Sequence, residues 1–168
     1  PKGQVLCLGE GEGRNAVWLA ARGMEVTAVD YSDAALERAR RLAKRHNVDI
    51  STVHADLAVY KFPESAYDAV VSIFVHMPEP LRRVVHHNAV RALRPGGFLI
   101  AEYFSREQLG FGTGGPKNPD MLYTVEGLRR DFEGAEIEQL EQVETELEEG
   151  RYHQGRASVI RVVVSRTG

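Results

Sequence analysis

Three alternate glycines and one later aspartate are the residues of this sequence whose types and spacing favour ligand binding. Gly9, Gly11 and Gly13 follow the apolar run Val5–Leu8. Glycines let a turn adopt positive φ and let a ligand approach the backbone without meeting a Cβ atom. Asp30 lies 21 residues after Gly9, at the end of a second apolar segment. A carboxylate placed there can accept hydrogen bonds from both hydroxyls of a ribose, so the pattern predicts a nucleoside site.

Short apolar segments and helical repeats alternate along most of the chain. The predicted strands are Val5–Leu8, Val26–Val29, Ile50–His54, Ala69–Phe74 and Phe98–Tyr103. Helical spacing follows Ser32, which is suited to cap a helix, and Pro80, which is suited to the first helical position. This alternation predicts a parallel sheet covered on both faces, and ligands bind beyond the carboxyl ends of the strands in such sheets.

The C-terminal part departs from this alternation. Thr124 is predicted to cap a short helix, and Ala157–Val164 is predicted to be the final strand. The apolar residues between Ile137 and Leu147 have helical spacing, so the residues alone leave helix and strand open for this segment. The glutamates among them indicate a solvated face.

Composition limits the possible functions. The 168 residues suffice for a single domain, 1–168, and a hydrophobic content of 43% with 27% charged residues is typical of a soluble globular protein. A net charge of −3 argues against a nucleic-acid partner, and no apolar run is long enough for a membrane span. The single cysteine, Cys7, excludes a disulfide within the chain and fits a cytoplasmic location. No spacing typical of a metal site is present, and proline directly before the first strand leads us to expect a missing N-terminal segment.

The glycine turn, residues 9–13, together with Asp30 resembles the nucleoside-binding half of class I S-adenosylmethionine-dependent methyltransferases. The resemblance implies S-adenosylmethionine as cofactor and S-adenosylhomocysteine as product. It also implies an α/β Rossmann-like class I methyltransferase fold, a mostly parallel seven-stranded sheet with helices on both faces and an antiparallel last strand. For this reason we expect a strand between Ile137 and Leu147.

The same resemblance assigns the cofactor site. The expected cofactor-binding residues are Gly9, Glu10, Gly11, Gly13, Arg14, Asn15, Asp30, Tyr31, Asp56, Leu57, Ser72 and Phe74. Asp30 would face the ribose and Tyr31 the purine, while Asp56 would accept the adenine amino group beside the backbone N–H of Leu57. Asp56 is equally suited to cap a turn, and Phe74, like His76, is also compatible with a role in the core or the wall of the site.

Three segments narrow the resemblance to the tellurite-resistance (TehB-like) branch, which is related to thiopurine methyltransferases. They are residues 12–16 of the turn, the loop 112–117 and the late stretch 152–156. This branch implies a soft acceptor: a tellurite or selenite oxyanion, or a small thiol. His153 and Arg156 are candidates to steer an anionic acceptor, and for each a structural role is equally open.

Two further features qualify the resemblance. Many class I members have an acid where this chain has Cys7 and a small residue where it has Glu10, so Glu10 is expected to order part of the turn. The long glycine-rich segment 105–119 is predicted to be a mobile flap over the acceptor side, with a flexible surface loop as the alternative.

His86 and His87 point apart on a helix and are interpreted as surface or packing residues.

The preferred function is methyl transfer to a small molecule. A nicotinamide-dependent oxidoreductase is disfavoured because Arg14 occupies the sixth position of G-x-G-x-x-G, where such enzymes have glycine. A non-catalytic S-adenosylmethionine-binding domain and a methyltransferase for a different small molecule are the alternatives. The expected partner is a small-molecule acceptor, without nucleic acid or membrane, and a homodimer is possible.

Overall fold

The computed structural model describes residues 3–148 and 154–168. Seven strands within these ranges form one sheet. The strands are β1 (Gln4–Leu8), β2 (Glu25–Asp30), β3 (Ser51–His54), β4 (Tyr67–Ile73), β5 (Leu93–Phe104), β6 (Glu136–Glu148) and β7 (Gln154–Ser165). Their order across the sheet is β3-β2-β1-β4-β5-β7-β6. The first five strands are parallel, and β7 is antiparallel to both of its neighbours. The predicted Rossmann-like fold with an antiparallel last strand is therefore confirmed.

Four α-helices connect the strands, together with 3₁₀ turns at Arg106–Gly110 and Pro119–Met121. The helices are α1 (Arg14–Ala20), α2 (Asp33–Arg45), α3 (Glu79–Ala92) and α4 (Val125–Asp131). The side chains of Ser32 and Thr124 accept hydrogen bonds from the first turns of α2 and α4, as predicted. Helix α3 begins one residue earlier than the sequence predicted, so Pro80 occupies its second position.

Alternate residues of β1 enter cores on opposite faces of the sheet. Val5 and Cys7 pack with the apolar residues of α1, whereas Leu6 and Leu8 join the larger core beneath α3 and α4. Helices therefore cover both faces near the site. The α1 side of β5 stays open, because Phe98 and Ile100 are 43% and 44% exposed.

Several predicted boundaries differ from the structure. Strand β3 begins at Ser51, one residue after its predicted start at Ile50, and β5 is longer than predicted at both ends. Strand β4 ends at Ile73 because Phe74 adopts φ +55°, outside the extended region.

The ambiguous segment between Ile137 and Leu147 is strand β6, as the resemblance implied. Its register with β7 shifts between Ile137 and Gln139. A bulge of this kind breaks the two-residue alternation of a strand, so that Ile137 and Leu140 both pack against the main core. Val143 and Leu147 pack in a separate apolar cluster with Phe104, and the two groups together produce the helical spacing.

Candidate functional site

The glycine turn after β1 requires glycine for two different reasons. Gly9, Gly11 and Gly13 have φ of +54°, +64° and +88°, a region that side chains disfavour. A Cβ at Gly9 would lie 2.7 Å from Val75 Cγ2, and one at Gly13 would lie 2.6 Å from Ala39 Cβ. A Cβ at Gly11 would meet no protein atom within 4 Å. Packing thus closes the two ends of the turn, while its centre is open to a ligand.

Asp30 lies beside this open centre. Its Oδ2 accepts a hydrogen bond from the Gly11 N–H at 2.8 Å, and its Oδ1 accepts one from the Ser32 N–H at 2.8 Å. Each oxygen retains further lone-pair capacity, because a carboxylate has about four acceptor positions. Asp30 therefore shapes the turn in addition to any contact with a ligand, a role that its sequence position did not reveal.

Glu10 holds the turn from the other side. Its Oε1 accepts a hydrogen bond from the Ala16 N–H at 2.8 Å, and its carboxylate also bonds the Asn15 N–H and the Cys7 thiol. Burial, opposed by these hydrogen bonds and reinforced by the charge of Asp30, raises the pKa of Glu10 to about 7. Burial, followed by the charge of Glu10, raises the pKa of the Cys7 thiol well above its usual value.

Arg14 and Asn15 are the first residues of α1, directly after the turn. The Arg14 side chain is exposed, and Asn15 is half-buried with its backbone N–H on Glu10. Both residues lie beside the turn, and their role in cofactor binding stays a prediction.

The residues predicted to face the purine follow β2 and β3. Tyr31 is 76% exposed, and its carbonyl oxygen lies 2.8 Å from His54 Nε2. The Asp56 Oδ1 accepts a hydrogen bond from the Ala58 N–H at 2.9 Å, so Asp56 caps the turn after β3. Leu57 packs partly against the main core. The adenine role of Asp56 and Leu57 stays a prediction.

Aromatic residues form a wall at the ends of β4 and β5. Phe74 stacks on Phe104 with ring centroids 4.5 Å apart, and His76 lies in the same stack 5.7 Å from Phe104. The His76 Nδ1–H donates to the Met121 carbonyl at 2.7 Å, while its Nε2 accepts from the Phe104 N–H at 3.2 Å. Both ring nitrogens bond backbone groups, so the imidazole is neutral and joins three segments of the wall.

A buried polar network lies under this wall and was not predicted. The Asp131 carboxylate accepts from Arg82 Nε at 2.5 Å and from His86 Nδ1 at 3.0 Å. His86 Nε2 in turn lies 3.0 Å from the Tyr103 hydroxyl, which also bonds Ser72. Burial lowers the pKa of His86, although its hydrogen bond to Asp131 acts in the opposite direction. Ser72, a predicted cofactor residue, is buried at the start of this network.

Tyr123, directly before the cap of α4, bonds the backbone of residues 75–77 after β4. Its hydroxyl donates to the Val75 carbonyl at 3.0 Å and accepts from the Met77 N–H at 2.8 Å. The Val75 side chain packs over Gly9. Tyr123 therefore fixes the 75–77 loop, which closes one end of the glycine turn.

The 105–119 segment is attached to β7 by side chains at several positions. Buried Gln108 donates from Nε2 to Thr113 Oγ1 at 2.9 Å, and its Oε1 accepts from the Ser158 N–H at 2.9 Å. The Thr113 hydroxyl also donates to the Arg156 carbonyl at 2.6 Å. These bonds attach the segment to β7, and its predicted motion on ligand binding stays a prediction.

Of the two predicted acceptor-steering residues, Arg156 lies on β7. The exposed Arg156 guanidinium forms an ion pair with Glu144 and lies 5.6 Å from the centre of the Phe111 ring. All its described contacts are with the hairpin and the 105–119 segment. His153 lies outside the described residues.

A cavity lined by several arginine side chains lies between the starts of α3 and α4. This arginine cavity has a volume of about 460 Å³ and is lined by Arg82, Arg106 and Arg130, with Glu79 and Asp120 among its other lining residues. Within residues 3–148 and 154–168, no carboxylate lies within 4.0 Å of the guanidinium of Arg106 or Arg130. Among these same residues, no three His, Cys, Asp or Glu side chains are arranged to hold a metal ion. No helix in these ranges is long and apolar enough to cross a membrane.

Comparison with known proteins agrees with this geometry. The sequence profile of a methyltransferase domain family matches residues 5–97. The demethylmenaquinone methyltransferase of Clavibacter sepedonicus is 36% identical over 108 residues, which are 61% of this chain and 41% of that protein. A SAM-dependent methyltransferase from Methanosarcina mazei superposes with a TM-score of 0.80 at 16% identity, covering 99% of this chain and 93% of that one.

TehB from Haemophilus influenzae also shares the fold. Its TM-score is 0.77 at 19% identity, and the match covers 99% of this chain and 58% of TehB. The chain spans about 40% of the length of the curated relatives that it matches. The family match ends at residue 97, before the 105–119 segment and the last two strands.

Proposed function

This chain belongs to the class I S-adenosylmethionine-dependent methyltransferase domain family, and we propose that it transfers a methyl group from S-adenosylmethionine to a small, soft nucleophile. The open centre of the glycine turn at Gly11, held between the carboxylates of Glu10 and Asp30, carries the proposal. The sixth position of the dinucleotide-binding pattern G-x-G-x-x-G is glycine, whereas this turn has Arg14 there. The turn therefore suits a nucleoside that lacks a pyrophosphate.

The residues present fit the family's cofactor. Asp30 has acceptor capacity left for ribose hydroxyls, and Gly11 has no side chain to block a ligand at the turn. Tyr31 offers an exposed ring for the purine, with Asp56 and Leu57 beyond it. The aromatic wall formed by Phe74, His76 and Phe104 would border the end of the cofactor that carries the transferred methyl group.

When bound, S-adenosylmethionine supplies a methyl group on a positively charged sulfur, which needs no further activation. The protein is therefore required to orient the acceptor and to exclude water. Correct orientation can account for about 7–11 kcal/mol of barrier reduction. Neutral His76 has both ring nitrogens bonded to the backbone, so it serves this purpose as wall rather than as a base.

For the acceptor, we propose an anionic soft nucleophile: selenite, tellurite or a small thiolate, as in the TehB-like branch. Arg156 and the arginine cavity support a negative charge on the acceptor, because guanidinium groups pair well with oxyanions. A methyltransferase for a different small molecule is the alternative. Demethylmenaquinone methyltransferase, one of the relatives, motivates a quinone precursor as its test compound.

The cofactor assignment is tested by thermal shift. We expect S-adenosylhomocysteine to raise the melting temperature and NAD to leave it unchanged. A ligand at about one hundred times its dissociation constant adds about 2.7 kcal/mol of stability, which such a scan detects. Equal shifts with both ligands, or none with either, would contradict the assignment. Binding without turnover of any acceptor would instead favour a non-catalytic binding domain.

The acceptor assignment is tested by product detection with selenite, tellurite, small thiols and a quinone precursor. We expect His153→Ala and Arg156→Ala to lower turnover with selenite or a thiolate and to leave S-adenosylhomocysteine affinity nearly unchanged. Arg161→Ala is the matched control for Arg156→Ala, because both arginines lie on β7 and Arg161 pairs with Glu102. Wild-type turnover in both test variants would assign them a structural role.

Partners and location form part of the same proposal. A net charge of −3 supports a small-molecule acceptor rather than a nucleic acid. We propose a cytoplasmic protein, which fractionation tests. A homodimer is tested by analytical ultracentrifugation.

A further inference from the structure

Helix α1 begins at a place where the usual capping side chain is impossible. The N-cap residue is Gly13, and a Cβ there would lie 2.6 Å from Ala39 Cβ and 2.8 Å from Ala39 Cα. The close approach of α2 therefore excludes serine, threonine or aspartate at this position. The first N–H groups of a helix still need acceptors.

Glu10 supplies the missing acceptor from three residues upstream. Its carboxylate bonds the N–H groups of Asn15 and Ala16, and its own N–H donates to the Val29 carbonyl at 3.2 Å. One residue thus connects β2, the turn and α1. Cys7 lies beneath it, fully buried, and its thiol hydrogen-bonds the same carboxylate.

The turn therefore lies between two carboxylates. Glu10 bonds α1 on one side, and Asp30 bonds the Gly11 N–H on the other. Across residues 3–148 and 154–168, no lysine, arginine or histidine nitrogen lies within 4.0 Å of either carboxylate. The ionisable groups that act on Glu10 are Cys7 and Asp30, and neither supplies positive charge.

We propose that Glu10 is the positioning residue of the glycine turn and that, together with Asp30, it makes the turn prefer the positively charged S-adenosylmethionine over the neutral-sulfur S-adenosylhomocysteine. The inference rests on the proposed function. Its consequence is that loss of the sulfonium charge during methyl transfer weakens the hold on the product. The protein then discriminates substrate from product by charge, at a turn whose residues are not among those that line the arginine cavity.

The charge state of Glu10 makes this preference depend on pH. Burial raises the pKa of Glu10 to about 7, so the carboxyl is mostly neutral at pH 6 and mostly ionised at pH 8. A cationic ligand favours the ionised form and therefore releases a proton when it binds near neutral pH. A change of one unit in the pKa of Glu10 corresponds to a tenfold change in relative affinity.

The experiment compares the affinities of both ligands by calorimetry from pH 6 to pH 8.5, in two buffers of different ionisation enthalpy. We expect the wild-type preference for S-adenosylmethionine to rise by up to about tenfold across this range, with proton release near pH 7. Glu10→Gln should give a flat ratio. Glu12→Gln is the matched control, because Glu12 lies in the same turn but is exposed and paired with Arg38; it should behave as wild type.

Cys7→Ala provides a second variant that keeps the carboxylate. The Cys7 hydrogen bond lowers the pKa of Glu10, so its removal should move the midpoint of the pH profile to higher pH. Hydrogen exchange of the Ala16 amide in the free protein provides a readout without ligand, and exchange should be faster in Glu10→Gln. Parallel pH profiles in wild type and Glu10→Gln would overturn the inference alone. Failure of the wild type to bind either ligand would refute the proposed function as well.

Discussion

Removal of one hydroxyl group, in Tyr123→Phe, should loosen the 75–77 loop, which closes one end of the glycine turn. This hydroxyl lies 2.8 Å from the Met77 nitrogen and 3.0 Å from the Val75 carbonyl oxygen, and the Tyr123 side chain is fully buried. Burial raises the pKa of Tyr123, so the hydroxyl stays protonated and donates to Val75. Phenylalanine keeps the ring and leaves both backbone groups without this partner.

The magnitude follows from the burial of the two partners. An unsatisfied buried group costs about 1–3 kcal/mol, and the N–H of buried Met77 loses its partner while Val75 is only half-buried. We therefore expect a loss of about 2 kcal/mol in the free energy of unfolding. For a chain of this size the melting temperature should fall by about 4–8 °C. Because Val75 packs over Gly9, S-adenosylhomocysteine affinity should also fall.

Urea denaturation and calorimetry measure these two effects. Tyr103→Phe is the matched control, because Tyr103 is equally buried and its ring lies 4.8 Å from that of Tyr123. Among the residues that the structure describes, its hydroxyl bonds the side chains of His86 and Ser72 and no backbone group of the 75–77 loop. The control should lose stability and keep its affinity. An equal loss of affinity in both variants would refute the role of the 75–77 loop.

The other predictions concern the turn and the glycine-rich segment. Gly13→Ala should destabilise the fold by clearly more than Gly23→Ala, because both residues have φ near +88° but only Gly13 lacks space for a Cβ; urea denaturation gives the difference, and equal losses would contradict the packing argument. Glu10 has a folded-state pKa raised from 4.5 to about 7, so its contribution to stability is present below pH 4.5 and is lost as pH rises through 7. This amounts to at most about 3 kcal/mol, and Glu10→Gln should flatten that part of the pH–stability curve. Residues 110–119 should exchange their amide hydrogens quickly in the free protein and slowly with cofactor and acceptor bound, whereas slow exchange without ligand would mean a fixed wall.

Local sequence patterns predicted the backbone of the glycine turn and the position of the strand-end acid. Glycine at positions 9, 11 and 13 and the acid at Asp30 follow from the backbone needs of a tight turn and from strand-end placement. These requirements are set by neighbours in the chain. The same holds for the caps Ser32 and Thr124, which act within three residues of themselves.

The long-range contacts that support the glycine turn and the aromatic wall were not predictable from local sequence patterns. Arg82 and Asp131 are 49 residues apart, and they meet only because α3 and α4 pack on the same face of the sheet. Tyr123 reaches Met77 across 46 residues for the same reason. No residue type or spacing in the sequence marks such a pair, because the partner depends on the packing of whole elements.

The position of β7 between β5 and β6 has a consequence for the order in which the chain folds. Strand β6 is made before β7, yet its only neighbour in the sheet is β7. On a ribosome, residues 136–148 therefore wait without a partner until residues 154–165 have emerged. Strands β1 to β5 pair with one another within residues 4–104 and are able to assemble before the last two strands are made. The β6–β7 pair, to which the 105–119 segment is attached, is thus completed last, after the strands that carry the glycine turn.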